Sequence, residues 1–156
     1  MLMKPIMMVG VDGSKYAEHA LNTAIKMAKL YNWGLVIASV HSYPEDMGSI
    51  LDVAPSELNE AKLQLKRMLE RYKDQALKAG VADVKIKALS NFTPLMSVGA
   101  VLVMEAEKMR CSLIVIGTRG MTGIKRTLLG SVADYVVKNA HCDVYVVRLE
   151  YRAFEK

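Results

Sequence analysis

Between Ile114 and Ser131 an apolar, β-branched run, Ile114-Val115-Ile116-Gly117, leads through a loop containing Arg119, Gly120, Lys125, Arg126 and Gly130 into residues with helical spacing. Strand, glycine-bearing loop and helix, in that order, can cradle an anion. The first turn of a helix leaves backbone N–H groups without partners and carries the positive end of the helix dipole. Gly117 and Gly120 let backbone approach a ribose or phosphate closely; Gly130 clears space before the helix and Ser131 adds a hydroxyl. The glycine spacing fits neither the Walker A loop nor the GxGxxG dinucleotide fingerprint. Lys125 and Arg126 read as solvated loop charges, whereas Arg119, between two of the glycines, is placed to meet the ligand.

Asp12 closes an apolar run at the other end of the chain, in Val9-Gly10-Val11-Asp12-Gly13-Ser14. A carboxylate there is suited to accept a ribose hydroxyl, or to hold Mg²⁺ between itself and phosphate oxygens. The alternative is an Asx turn with Gly13 and Ser14. Ser131 with Asp134 also fits a variant of the helix capping box, which needs no ligand. His19, His41 and His141 have no Ser, Cys or Asp at a catalytic spacing. Cys111 and Cys142 lack the spacing of a metal site and read as buried free thiols in a reducing compartment.

Five apolar runs, Ile6–Val11, Gly34–His41, Asp83–Leu89, Ser112–Gly117 and Asp143–Leu149, alternate with four helical patterns. That alternation predicts a parallel sheet covered on both faces, its strands buried on both sides. The first helix starts at Ser14 and buries Ala17, Ala20, Leu21, Ala24, Met27, Ala28 and Tyr31. The second starts at Pro55-Ser56, buries Leu58, Ala61, Leu65, Met68, Tyr72 and Ala76, and ends at Gly80. The third spans roughly Leu95 to Met109, with a later start suggested by Gly99, which weakens a helix by about 1 kcal/mol relative to Ala. The fourth, Ser131 to Asn139, buries Val132, Val136 and Val137. Met7, Met8, Met27 and Met68 occupy apolar positions and fill core; Met121 is placed as an exposed loop residue.

With 156 residues, 52% apolar and 24% charged, the chain has the size and balance of one folded domain spanning 1–156. Charged residues interrupt every hydrophobic segment, which argues against a membrane span, and the absence of a cleavage-site pattern against secretion. The expected location is the cytoplasm. The net charge of +5 is spread out, and Phe92, Phe154 and Trp33 form no stacking platform, which argues against nucleic acid as a partner.

The spacing Gly117-x2-Gly120-x9-Gly130-Ser131 resembles the Gly-x2-Gly-x9-Gly-Ser/Thr signature of the universal stress protein family at every specified position. The segment Val9–Ser14, followed by Ala20-Leu21 and Ala24, resembles that family's first strand, which ends in Asp before a Ser-capped helix. The similarity extends from Ile6 to Arg148. It implies a three-layer α/β/α sandwich of the adenine nucleotide alpha hydrolase type, with a five-stranded parallel sheet in the order 3-2-1-4-5. Strands 1 and 4 would then be neighbours, opening a crevice at their carboxyl ends.

The resemblance implies that Gly10, Val11 and Asp12 line this crevice and that Val40 offers its backbone to adenine. Ile116, Gly117, Arg119 and Gly120 would lie along ribose and the first phosphates; Gly130, Ser131 and Val132 would meet the outer ones. The ligand would be ATP, or AMP or ADP, with Mg²⁺ held through Asp12. The chain departs from the family pattern at Ala133, where some nucleotide binders have a hydroxyl, and at Ser112, which replaces an Asp. The stretch Thr93–Met109 also looks about one turn longer.

The resemblance further implies a homodimer through the last strand, where Val144-Tyr145-Val146-Val147 forms an apolar edge. The expected function is binding rather than turnover, in a stress-response sensor or regulatory module. Slow ATP hydrolysis or nucleotidyl transfer is one alternative, and a stress-response dimer that binds no nucleotide is another.

Overall fold

The computed structural model describes residues 3–41, 55–90, 96–119 and 129–149, with side chains of the second helix from 59 onward. Among them strands and helices alternate: β1 (Ile6–Gly10), α1 (Lys15–Tyr31), β2 (Gly34–His41), α2 (Pro55–Ala79), β3 (Val84–Ser90), α3 (Val98–Lys108), β4 (Leu113–Gly117), α4 (Ser131–Asn139) and β5 (Asp143–Val147). The strands form one parallel sheet in the order β3-β2-β1-β4-β5. Central β1 pairs Met8 with Val36 on one side and with Ile114 on the other.

The continuous apolar runs have a direct physical cause. Successive side chains of a strand point to opposite faces, so a strand covered on both must be apolar at every position. Met7, Val9, Leu35, Ile37 and Val115 meet Ala20, Leu21, Leu69 and Tyr72 of α1 and α2 in one core layer. Met8, Val36, Ala38, Ile114 and Ile116 meet Leu102, Val103, Ala133 and Val136 of α3 and α4 in the other. Met7 and Met8 are fully buried, and Met27 and Met68 pack against the first layer, so these methionines do fill core. The outer strands β3 and β5 alternate buried or half-buried with exposed positions, correcting the expectation that all five are buried on both sides. Edge strands have a neighbouring strand on one side only and less helical cover.

Individual helix positions also shift. Ile25 joins the buried face of α1, whereas Tyr31, in its last turn, is 56% exposed and lies 5.9 Å from the Trp33 ring. In α2, Leu69, Tyr72 and Ala76 are buried, while Ala61, Leu65 and Met68 are half-buried; the side chain of Leu58 lies outside the described residues. In α4, Val136 and Ala133 are buried, Val132 is half-buried, and Val137 points to solvent. Polar ties join α1 to α2: the Tyr72 hydroxyl donates to Glu18 Oε1 at 2.9 Å, and Gln75 Nε2 donates to Asn22 Oδ1 at 2.7 Å.

Helix α3 does start late, at Val98, with Ser97 as its N-cap accepting from the Ala100 N–H at 3.1 Å. Gly99 lies inside it because α4 crosses there: a Cβ on Gly99 would come within 2.8 Å of Tyr135 Cβ. Cys111 is buried, whereas Cys142 is only half-buried, so the reading of both as buried thiols holds for one. Burial, with smaller contributions from Cys142 and Glu105, pushes the Cys111 thiol up to about 11. No helix among the described residues is long and apolar enough to cross a membrane.

Replacing Gly99 with alanine should lower stability by about 1–3 kcal/mol, because overpacking against Tyr135 outweighs the gain in helix propensity of about 1 kcal/mol. Urea denaturation measures the balance, and a raised midpoint would show that the helices separate freely. The raised Cys111 pKa keeps its thiol protonated near neutrality, and this contribution to stability is lost only as pH climbs from the ordinary thiol range toward 11. Iodoacetamide at pH 8 should therefore label Cys142 well before Cys111, which mass spectrometry of the digested protein resolves; equal labelling would contradict this order.

Candidate functional site

In an open parallel sheet the chain leaves neighbouring strands in opposite directions at one point, and a crevice opens beyond their carboxyl ends. Here that point lies between β1 and β4. Beyond β1, the Val11 N–H donates to the Ala38 carbonyl at 2.8 Å and ends the pairing with β2. Backbone groups alternate in direction along a strand, so Val40, two residues past Ala38, turns its amide and carbonyl toward the space where β1 has ended. Its side chain packs on the second core layer.

Asp12 is exposed, and its Oδ1 accepts from the Ser14 N–H at 2.9 Å, across Gly13 at φ +82°. This is the Asx turn that the sequence allowed. Ser14 in turn caps α1, its Oγ accepting from the Ala17 N–H at 3.2 Å. The carboxylate thus sets the entry to α1, and it retains further lone pairs directed to solvent.

Gly10 and Ile116 are packing residues as well as strand ends. Ile116 is buried in the second core layer, and a Cβ on Gly10 would come within 3.0 Å of both Ile116 Cδ1 and Leu102 Cδ1. Gly117 faces the other way, where a Cβ would lie 2.9 Å from the Tyr16 carbonyl oxygen of α1. The first turn of α1 therefore sits directly on the end of β4, an approach that a side chain would block.

From Gly117 the chain is held at both ends of the loop. The Thr118 N–H donates to the Val147 carbonyl at 3.2 Å, and the Gly130 N–H donates to the Thr118 carbonyl at 2.7 Å. Thr118 is itself buried. These bonds bring the start of α4 beside the end of β4. Residues 120–128 lie outside the described residues, and with them Gly120, Met121, Lys125 and Arg126.

Gly130 is the N-cap of α4 and supplies no side-chain hydrogen bond. Ser131 is the first helical residue, and Asp134 pairs with Lys138 at 2.9 Å, correcting the capping-box reading of Ser131 with Asp134. A glycine cap leaves the amides of Ser131, Val132 and Ala133 without a capping side chain, whereas Ser14 and Ser97 cap α1 and α3. Ser131 is exposed and Val132 half-buried.

Arg119 is half-buried, its Cζ 5.7 Å from the centroid of the Tyr16 ring, and its buried Nε has no hydrogen-bond partner among the described residues. A buried donor without an acceptor costs about 1–3 kcal/mol. Lys15 Nζ lies 5.4 Å from the same ring. Neither Lys15 nor Tyr16 belongs to a sequence motif; the signal for them is their place in the first turn after Asp12-Gly13-Ser14. His141 Nε2 lies 3.2 Å from the Cys111 carbonyl, at the opposite end of the sheet. No cluster of three or more His, Cys, Asp or Glu that could hold a metal occurs among the described residues.

Comparison with known proteins agrees with this fold. The sequence model of the universal stress protein family matches residues 3–148. A Staphylococcus aureus (strain USA300) protein assigned to the universal stress proteins is 34% identical over 144 residues, covering 92% of this chain and 83% of its own. A solved universal stress protein in complex with cAMP superposes with a TM-score of 0.70 at 24% identity, covering 94% of this chain and 98% of that one. The universal stress protein of Archaeoglobus fulgidus in complex with dAMP gives 0.65 at 22% identity, with coverages of 94% and 98%. With its 3-2-1-4-5 sheet, its glycine-spaced loop and a family match over nearly its whole length, the chain belongs to the universal stress protein family.

Proposed function

We propose that this protein binds ATP, or the related AMP or ADP, in the crevice between β1 and β4, and acts as a regulatory module in the cytoplasm rather than as a dedicated enzyme. The observation that carries this reading is the glycine-capped start of α4, whose first amides have no capping side chain and lie beside the end of β4. A phosphate tail there gains several backbone hydrogen bonds and the positive end of the helix dipole. Gly130, Ser131 and Val132 would meet the outer phosphates; Ile116, Gly117, Arg119 and Gly120 would lie along the ribose and inner phosphates. Gly10, Val11 and Asp12 would border the ribose, with adenine against the outward backbone of Val40.

Asp12 would share Mg²⁺ with the phosphates, since this ion is commonly held by one or two carboxylates plus phosphate oxygens. The solved relatives bound to cAMP and dAMP support an adenine ligand by analogy. Phosphate release during incubation with ATP, lost in Asp12→Ala, would favour the slow-hydrolase alternative.

Ser131→Pro tests the phosphate site without dismantling the helix. Proline is tolerated at the first helical position, and Gly130, at φ −61° and ψ 159°, already has the conformation a following proline demands. Removing this amide and hydroxyl should weaken ATP binding about tenfold or more in calorimetry while leaving adenosine binding unchanged. Undiminished ATP affinity would place the phosphates elsewhere, and no binding of any adenine nucleotide by the wild type would leave the non-binding dimer.

A homodimer through β5 completes the proposal. The strand is an edge of the sheet, and Tyr145 on it is 45% exposed. An isologous two-fold contact would cover that edge. Sedimentation equilibrium at micromolar concentration should give twice 17.3 kDa, and Tyr145→Lys should shift the mass toward one chain; a wild-type monomer would refute the dimer.

A further inference from the structure

Tyr16 is half-buried at the mouth of the crevice and belongs to neither core layer, so its ring is not there to fill the interior. Its backbone is fixed by the contact between its carbonyl and Gly117, and its ring has Arg119 on it at 5.7 Å and Lys15 at 5.4 Å. Two cations share one ring, beside the carboxyl end of β4. An aromatic face attracts a guanidinium without neutralising it and without using any of its five N–H donors. A carboxylate in the same place would occupy those donors and compete with phosphate. Arg119 retains one buried donor, Nε, with no partner among the described residues.

We propose that Tyr16 is a positioning residue for the phosphate site: its ring holds the Arg119 guanidinium poised over the crevice, so that the affinity for phosphate-bearing ligands, and not for the nucleoside, depends on it. This rests on the reading of the crevice as a nucleotide site and adds the residue that sets its phosphate preference. Lys15, held on the same ring, raises the local positive potential that a polyphosphate would meet. Asp12 is the acidic group on the same connection, and Mg²⁺ carried by the nucleotide would screen it.

The test compares adenosine with ATP by calorimetry on the intact protein. Tyr16→Leu should weaken ATP binding about fivefold and leave adenosine unaffected, and Tyr16→Phe, which keeps the aromatic face, should retain ATP binding within about twofold. In an Arg119→Ala background, Tyr16→Leu should cost nothing further, because the two side chains act as one unit. Unchanged ATP affinity in Tyr16→Leu overturns the proposal, as do equal losses for ATP and adenosine, which would mark a merely structural residue. A wild type that binds adenosine and ATP equally keeps the nucleoside pocket and rejects the role of Tyr16. A wild type that binds neither rejects the nucleotide reading itself, and this proposal with it.

Discussion

The backbone of the first α1 turn lies against the end of β4 with no room for a side chain between them, and the geometry of the crevice depends on that approach. A Cβ on Gly117 would sit 2.9 Å from the Tyr16 carbonyl, and a helix backbone cannot give way as a flexible side chain can. The contact fixes where α1 starts, and Asp12 and Ser14 satisfy the backbone groups that the turn into the helix exposes.

Neighbouring contacts extend the same constraint to α4. The bonds from Thr118 to Val147 and from Gly130 to Thr118 tie the two ends of the loop together, so the helix start is delivered to the sheet however the intervening residues run. At α3, Gly99 lets Tyr135 of α4 approach closely, and the second core layer forms where the helices cross. Glycines at Gly10, Gly99 and Gly117 therefore serve close packing between elements.

Electrostatically, the mouth of the crevice is built to keep its donors unspent. Among the described residues Arg119 meets an aromatic ring and no acid, the first amides of α4 have a glycine in place of a capping side chain, and Asp134, which could have turned back on Ser131, is paired with Lys138. Each arrangement forgoes a modest local stabilisation, about 0.5–2 kcal/mol for a side-chain cap. The adenine-nucleotide reading draws its physical support from donors kept in this way.

The amino-acid order alone determined the alternation of strands and helices and the burial of β1, β2 and β4, because a strand covered on both faces must be apolar at consecutive positions. It also pointed to a later start of α3, through Gly99, and carried the glycine spacing that resembles the family signature, whereas Ser97 emerged as the cap of α3 only in the structure. Tertiary structure decided what periodicity cannot register: that Tyr31 and Val137 face solvent, that the edges β3 and β5 are only partly covered, and that Gly130 rather than Ser131 caps α4. It alone brought Tyr16 to Arg119, 103 positions apart in the chain. Periodicity reports which face of an element is apolar, but whether a neighbour covers that face, and which distant side chains meet there, is set by packing between elements far apart in sequence.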